Sequence, residues 1–158
     1  MITAQVESFE NCLPELKVLF PVHHGELGLF KGQMPLAPQY GEYVERERAG
    51  NLFLVTVRVD GNIAAYYVAQ VAPGFHYEQT LTGTMDIMYV APSYRGGGLC
   101  LPLFRAAERE LKRRGVKVWY SGYKHHNPLN MPMLLLRLGF RPADVYCVKW
   151  LGDENGDN

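Results

Sequence analysis

The residues best placed to do chemistry lie between Asp86 and Arg114. The run Asp-Ile-Met-Tyr-Val-Ala-Pro-Ser-Tyr-Arg-Gly-Gly-Gly-Leu-Cys spans 86–100 and leads into an amphipathic stretch with Leu99, Leu103, Phe104, Ala107 and Leu111 at helical spacing. Ile87 to Val90 favour a strand, and Pro92 stops it because proline has no donor for the ladder. Gly96, Gly97 and Gly98 then open the backbone to conformations closed to other residues. Glycines entering a helix leave bare N–H groups aligned with the helix dipole, which is a site for a phosphate. No Gly-Lys-Ser/Thr closes the turn, and Leu101 stands where a dinucleotide fingerprint needs its third glycine, so neither of those phosphate motifs is present.

The elements that must hold this turn can be read from the flanks. The spacing predicts a first strand over 2–6, a helix starting near Leu13, a long connection over 21–41, and an exposed helix over 40–49. Strands follow over 52–59 and 63–71, joined by Asp60-Gly61-Asn62, a hairpin signal. The second of these is apolar on both faces and reads as central. A loop over 75–81 precedes the strand 82–90. After the glycine turn and its helix come a strand over 116–121, a polar loop, a short helix over 131–138, apolar nearly all round and hence expected to be buried, and a last strand over 145–151. Strands alternating with helices in the second half imply an α/β sheet, parallel at least in part.

Composition narrows the classes. The 158 residues make one domain over 1–151, followed by an acidic tail over 152–158 expected to be disordered. Sixteen basic and sixteen acidic side chains balance, which gives no signature of nucleic-acid binding. No apolar run suits a membrane span, and no signal peptide is legible at the N-terminus. Cys12, Cys100 and Cys147 show no metal spacing and read as free thiols of a cytoplasmic protein. His23, His24 and Glu26 form no ligand set with a recognised geometry, and no metal is expected.

The turn resembles the acyl-CoA-binding motif of the GNAT N-acetyltransferases, Gln/Arg-x-x-Gly-x-Gly/Ala, with Arg95 and Gly98 in the first two positions and Cys100 where the family has Gly or Ala. Leu-Arg-Leu-Gly-Phe-Arg-Pro over 136–142, followed by Tyr146 and Lys149, is similar to the family's last helix and strand. A looser similarity, carried by His23/His24-x-Glu26, the surroundings of Tyr77 and Asp86, Tyr-Lys-His at 123–125 and Val-Tyr-x-x-Lys-Trp-Leu at the end, is to small GNAT-like proteins of bacteriophages. The resemblance implies a GNAT fold: a mixed sheet of six to seven strands, about four helices and a splayed parallel strand pair. It implies acetyl-CoA as acyl donor, held by Met88, Tyr89, Val90, Arg95, Gly96, Gly97, Gly98, Leu99, Cys100 and Asn127, and direct attack by a primary amine, on a small molecule or on protein. The chain would act as monomer or homodimer.

Such a reaction needs a donor for the carbonyl oxygen, a base and an acid. Main-chain N–H near Met88 to Val90 would serve as the donor. Asp86 is the candidate base: it lies four residues before Val90, where related enzymes carry a glutamate, and a carboxylate in an apolar strand is expected to have a raised pKa. Alternation would set it on the face of Met88 and Val90. His125 and His126 are rival bases. The acid is where the chain departs from the family, because Leu135 occupies the position of the usual tyrosine; Tyr120, Tyr123 and Tyr146 are the substitutes to consider. Asn127 lies twelve residues before Gly139, one more than is usual for the family's asparagine. These departures leave open a second class: a GNAT fold that docks on a host protein through loop aromatics such as Phe30, Tyr40, Tyr43, Phe75 and Tyr77.

Overall fold

A computed structural model describes residues 1–152. The elements are β1 (Ile2–Glu7), α1 (Phe9–Leu27), α2 (Tyr40–Arg48), β2 (Leu52–Val59), β3 (Asn62–Gly74), β4 (Tyr77–Val90), a 3-10 turn (Pro92–Tyr94), α3 (Cys100–Arg113), β5 (Val118–Tyr120) and α4 (Met131–Arg137). The sheet order is β1-β2-β3-β4-β5. The first three pairings are antiparallel, and only β4 and β5 run parallel.

Between β2 and β3 the predicted hairpin is present, with Asp60 and Gly61 both at positive φ (49° and 88°), the pattern of a type I′ turn. β3 is central and buried, as its two apolar faces imply. Consecutive side chains go to opposite faces of the sheet and build two cores. Phe53, Val55, Tyr67, Met88 and Val90 meet Leu103, Phe104 and Leu111 of α3 and Leu135 of α4. Leu52, Leu54, Tyr66, Val68 and Tyr89 meet Phe9, Leu16 and Phe20 of α1 and Val44 of α2.

Several boundaries differ from those expected. α1 begins at Phe9, not Leu13, because Ser8 caps it and Glu47 of α2 accepts from the Phe9 N–H at 2.6 Å, satisfying a donor left open at a helix start. It also runs through Pro21 to Leu27, into what reads from sequence as a loop. Proline inside a helix costs a hydrogen bond. Tertiary contacts on both sides offset it, since Phe20 and Leu27 are buried in the second core. β4 starts at Tyr77, so the expected 75–81 loop shrinks to the tip of a long β3–β4 hairpin with Gly74 opposite Tyr77. α4 is not apolar all round in its packing: Met131 and Leu135 are buried, but Met133 and Leu136 are exposed.

The sheet has five strands, not six to seven. β5 is trimmed to three residues, and residues 145–151 form no strand. Val145, Tyr146 and Leu151 are exposed, and the Trp150 ring lies beside Phe30, with ring centres 5.7 Å apart. Alternating apolar residues make a segment competent for a strand, but pairing needs an edge long enough to receive it, and β5 offers only Val118–Tyr120. The acidic tail beyond Gly152 lies outside the described residues. No helix among the described residues is long and apolar enough to cross a membrane.

Candidate active site

The site is built along the second half of β4. β4 and β5 pair only over Thr82–Thr84 and Val118–Tyr120, after which β4 continues alone on that side to Val90. β5 ends there, so the second half of β4 is left open on that side. The Ala91 N–H donates to the Ala64 carbonyl at 2.9 Å, making Ala64/Ala91 a bonded pair of the β3–β4 ladder. Bonded and non-bonded pairs alternate, so Met88 (opposite Tyr67) and Val90 (opposite Ala65) turn their main-chain groups away from β3 and into the gap. The gap is a shallow cleft lined by Leu27, Met88, Tyr89, Val90, Arg95 and Asn127, which brings together much of the expected cofactor set.

The glycine turn directly follows Arg95, which lines the cleft. Gly96 and Gly98 take φ of +85° and +73°, and a Cβ at either would meet nothing within 4 Å, so the turn is both glycine-dependent and open. α3 has no side-chain cap and no acidic residue in its first turn. The turn therefore offers uncapped helix N-terminal dipoles with no carboxylate to repel an anion. Cys100 does not crowd it: the side chain packs on the α3 core, and burial raises its thiol pKa. The residues present fit a pyrophosphate and a pantetheine arm.

The Arg95 side chain makes contacts that its motif position does not predict. Its Nε donates to the Val90 carbonyl at 3.0 Å, and its two other nitrogens bond the two carboxylate oxygens of Glu26, one at 3.0 Å. The guanidinium is thus committed to tying the end of β4 to α1. Lys124 does the same for the 121–130 loop, donating to the Leu27 carbonyl. Asn127 turns its side-chain oxygen to the Leu129 N–H at 2.9 Å and shapes the loop where it meets the cleft.

Asp86 is placed differently from the strand alternation expected. Val68 pairs with Ile87 and Ala69 with Met85, so Asp86 is the extra residue of a β-bulge. Met88 and Val90 face α3, whereas Asp86 is turned to the α1/α2 face, where the Tyr43 hydroxyl donates to its Oδ2 at 2.6 Å. The surround is mixed rather than apolar, with Ala37, Pro38 and Leu52 beside the polar groups. Asp86 lies in a cavity of about 360 Å³ with Gln39, Glu42, Tyr43, Arg46 and Gln70 among its lining. Arg46 bonds Glu42 at 2.6 Å and Gln70 at 3.1 Å. Burial, then the neighbouring Asp86, push the Tyr43 phenol well above the usual range, so it stays a donor.

The other proposed acid–base groups are not gathered here. Tyr123, His125 and His126 are exposed on the 121–130 loop and do not line the Asp86 cavity. Tyr120 and Tyr146 are exposed as well, and Leu135 is buried in the core beneath α3. Among the described residues no group of three His, Cys, Asp or Glu could hold a metal. Of the loop aromatics, Tyr40 and Tyr43 stack inward on Phe20 and Phe9, while Phe75 and Tyr77 are exposed at the hairpin tip.

Three residues that spacing did not single out for these roles complete the site. Tyr43 holds Asp86 from forty-three residues away, a distance no local pattern spans. His23 stacks on Tyr89 (ring centres 4.5 Å, 11° between planes), and its Nδ1 is 2.7 Å from the Tyr66 hydroxyl. The Tyr89 hydroxyl is buried beside the Glu26–Arg95 pair. Burial, then the Lys124 ammonium, lower the His23 pKa to about 4, with Glu26 opposing. Unfolded, the same histidine titrates near 6.5. The unfolded chain thus binds more protons between those values, and the contribution of neutral His23 is complete above pH 6.5 and lost as pH falls toward 4. We expect His23→Gln to remove up to about 3 kcal/mol of the acid-induced loss of stability, read as a smaller difference between urea unfolding free energies at pH 7 and pH 4.

A mixed sheet with one parallel pair, β4–β5, and a glycine turn leading from β4 into α3 are the features that the comparisons address. Residues 20–140 match the acetyltransferase (GNAT) family, and the chain belongs to that family. Members use acetyl-CoA as acyl donor. No curated protein matches the chain in sequence. Among solved structures, a ribosomal-protein-alanine N-acetyltransferase from Brucella melitensis biovar Abortus 2308 is 15% identical with a TM-score of 0.70, over 96% of this chain and 100% of that one. An aminoglycoside acetyltransferase from an uncultured soil metagenomic sample is 14% identical with a TM-score of 0.72, over 96% and 99%. A predicted acetyltransferase with acetyl-CoA from Clostridium acetobutylicum is 16% identical with a TM-score of 0.67, over 94% and 96%. At these identities the likeness is one of fold.

Proposed function

We propose that the protein is an acetyl-CoA-dependent N-acetyltransferase whose primary-amine acceptor enters the Asp86 cavity. The observation that carries this is the double use of one strand: β4 turns the main-chain groups of Met88 and Val90 into the gap, and its bulge turns Asp86 to a cavity on the α1/α2 face. The cofactor supplies an acetyl thioester. The glycine turn holds its pyrophosphate, with Gly96 and Gly98 giving close backbone approach, and the main chain of Met88 and the Val90 N–H pair with its pantetheine arm. Asp86 takes a proton from the acceptor ammonium, freeing the nitrogen lone pair for attack on the acetyl carbonyl, while the Tyr43 hydroxyl fixes the carboxylate. Main-chain N–H in the gap favours the developing oxyanion. Two of the structural neighbours, by their descriptions, act on amine-bearing acceptors, an aminoglycoside and a ribosomal-protein alanine, which agrees with a mixed-charge cavity of this size.

The exposed Phe75 and Tyr77 at the hairpin tip, with Val145, Tyr146 and Leu151, favour a second reading: a surface for a protein partner, as in a phage-encoded protein that docks on a host protein. Calorimetry with acetyl-CoA, followed by thiol-release assays over small amines, aminoglycosides and peptide N-termini, separates the two. Binding with release supports the transferase. Absence of both favours the docking protein.

A further inference from the structure

We propose that the acceptor is a free α-amino acid and that Arg46 is the residue that reads its carboxylate. The inference rests on the acetyl-transfer reading above and names the acceptor class for the same cavity.

The lining of the Asp86 cavity holds two carboxylates, Asp86 and Glu42, and among the described residues one cation, Arg46. Asp86 is fixed by the Tyr43 hydroxyl and is the pole for the acceptor ammonium. Arg46 is fixed from the sheet. Its Nη1 donates to Gln70 Oε1 at 3.1 Å, and alternation puts Gln70 on the β3 face of Tyr66 and Val68, the face to which Asp86 is turned. With Nη1 on Gln70, the fork formed by Nε and Nη2 is the edge that matches a carboxylate through two parallel bonds. That edge holds one Glu42 oxygen, 2.6 Å from Nε, and Nη2 has no partner among the described residues.

Glu42 is a weak occupant of the fork. The two side chains are 45% and 47% exposed and lie at i,i+4 on one helix, and exposed pairs of this kind contribute little. Among the described residues the Glu42 carboxylate has no other partner, so it is free to turn to solvent, whereas Arg46 keeps Gln70. That asymmetry decides which second charge the acceptor brings. A second ammonium would have to draw Glu42 from Arg46 and would then face the guanidinium that Gln70 still holds. A carboxylate displaces Glu42 and gains two charge-assisted bonds on a fork already oriented. The spacing agrees: Tyr43 and Arg46 are about 5–6 Å apart at Cβ on α2, and Asp86 lies about 7 Å along β4 from Thr84, the partner of Gln70. An α-amino acid, with both charges on one carbon and a hydrogen bond of about 2.8 Å at each end, has the length to join poles set so close. Ala37, Pro38 and Leu52 line the remaining space and would receive its side chain.

In the reaction Asp86 takes one proton from the α-ammonium, and the nitrogen lone pair bonds to the acetyl carbonyl carbon. The C–S bond breaks with its electron pair on sulfur, and the second nitrogen proton passes to that thiolate. The products are an N-acetyl amino acid and CoA. Arg46 takes no part in bond making; by holding the carboxylate it sets the nitrogen at Asp86.

The experiment measures thiol release at saturating acetyl-CoA with each common amino acid, the corresponding amino acid amide, and diaminobutane. The amide keeps the α-amine and loses the negative charge. For the best side chain we expect kcat/KM of the acid to exceed that of its amide by about 10- to 100-fold, the range for losing a hydrogen-bonded charge, with the difference mainly in KM. Arg46→Gln should bring the ratio close to one by raising KM for the acid, and Arg46→Lys should restore part of it. Glu42→Gln removes the competitor for the fork and should lower KM for the acid several-fold, an arm that does not depend on the Arg46 variants folding. Equal use of acid and amide by wild type, or an unchanged ratio in Arg46→Gln, would overturn the proposal. So would a preference for diaminobutane with a KM that rises in Glu42→Gln, which would make Glu42 a second ammonium pole. Failure of the wild type to release thiol with any amine would instead sink the transferase reading. Calorimetry of the amino acid against its amide would still report on Arg46: tighter binding of the acid, lost in Arg46→Gln, supports the carboxylate site, and equal binding overturns it.

Discussion

Gly98→Asp should weaken acetyl-CoA binding by more than about 100-fold in calorimetry, equivalent to roughly 2.8 kcal/mol. Two effects add. Gly98 sits at φ +73°, where a side chain costs about 1–2 kcal/mol, and that part appears as lost stability. The larger part is electrostatic. The turn opens α3, which has no cap and no acid in its first turn, so a carboxylate here occupies the very field that would receive a pyrophosphate. The control is Gly98→Asn, which tolerates the left-handed backbone and brings no charge. It should weaken binding only a few-fold. If the two variants bind alike, the electrostatic argument fails; if Gly98→Asp binds as wild type does, the phosphate lies elsewhere.

The second large effect is expected at Asp86. Asp86→Asn should lower kcat by about 10²- to 10⁴-fold, the usual contribution of a positioned base. The amide has the same shape, and its oxygen can still accept from the Tyr43 hydroxyl, so the melting temperature should change little and the acetyl-CoA dissociation constant not at all. A steady-state series with the best amine acceptor, backed by calorimetry, separates these quantities. Raising the pH should partly restore the variant, because more of the acceptor amine is then free of its proton before it binds. Full activity in Asp86→Asn would remove the base assignment and leave His125 as the next residue to change.

Much of the architecture was legible in the chain. The glycine turn after a strand, the Asp60–Gly61 hairpin and the two apolar faces of β3 all follow from local rules, and each is found. The misreadings share a cause. Pro21 reads as a breaker, yet α1 passes through it because Phe20 and Leu27 are buried on the sheet and Glu26 beyond it bonds Arg95. Residues 145–151 have the pattern of a strand, yet the pattern carries no information about the length of the β5 edge. In both cases the local preference is worth about 1–3 kcal/mol, well within what tertiary contacts can override.

The same division holds at the site. By itself the sequence determined which residues are available: the turn, Asp86 on the strand before it, and no tyrosine at Leu135. It could not determine where they point. Strand alternation assigns Asp86 to the face of Met88, and only the ladder between β3 and β4 reveals the bulge that sends it to Tyr43 and the opposite cavity. Arg95 reads as part of the phosphate motif until Glu26, sixty-nine residues away in the chain, is seen to hold it. Backbone conformation and amphipathic period are local properties, written in a few neighbouring residues. Register, the direction of a side chain and the partner it meets depend on contacts between distant segments, and those exist only once the chain has packed.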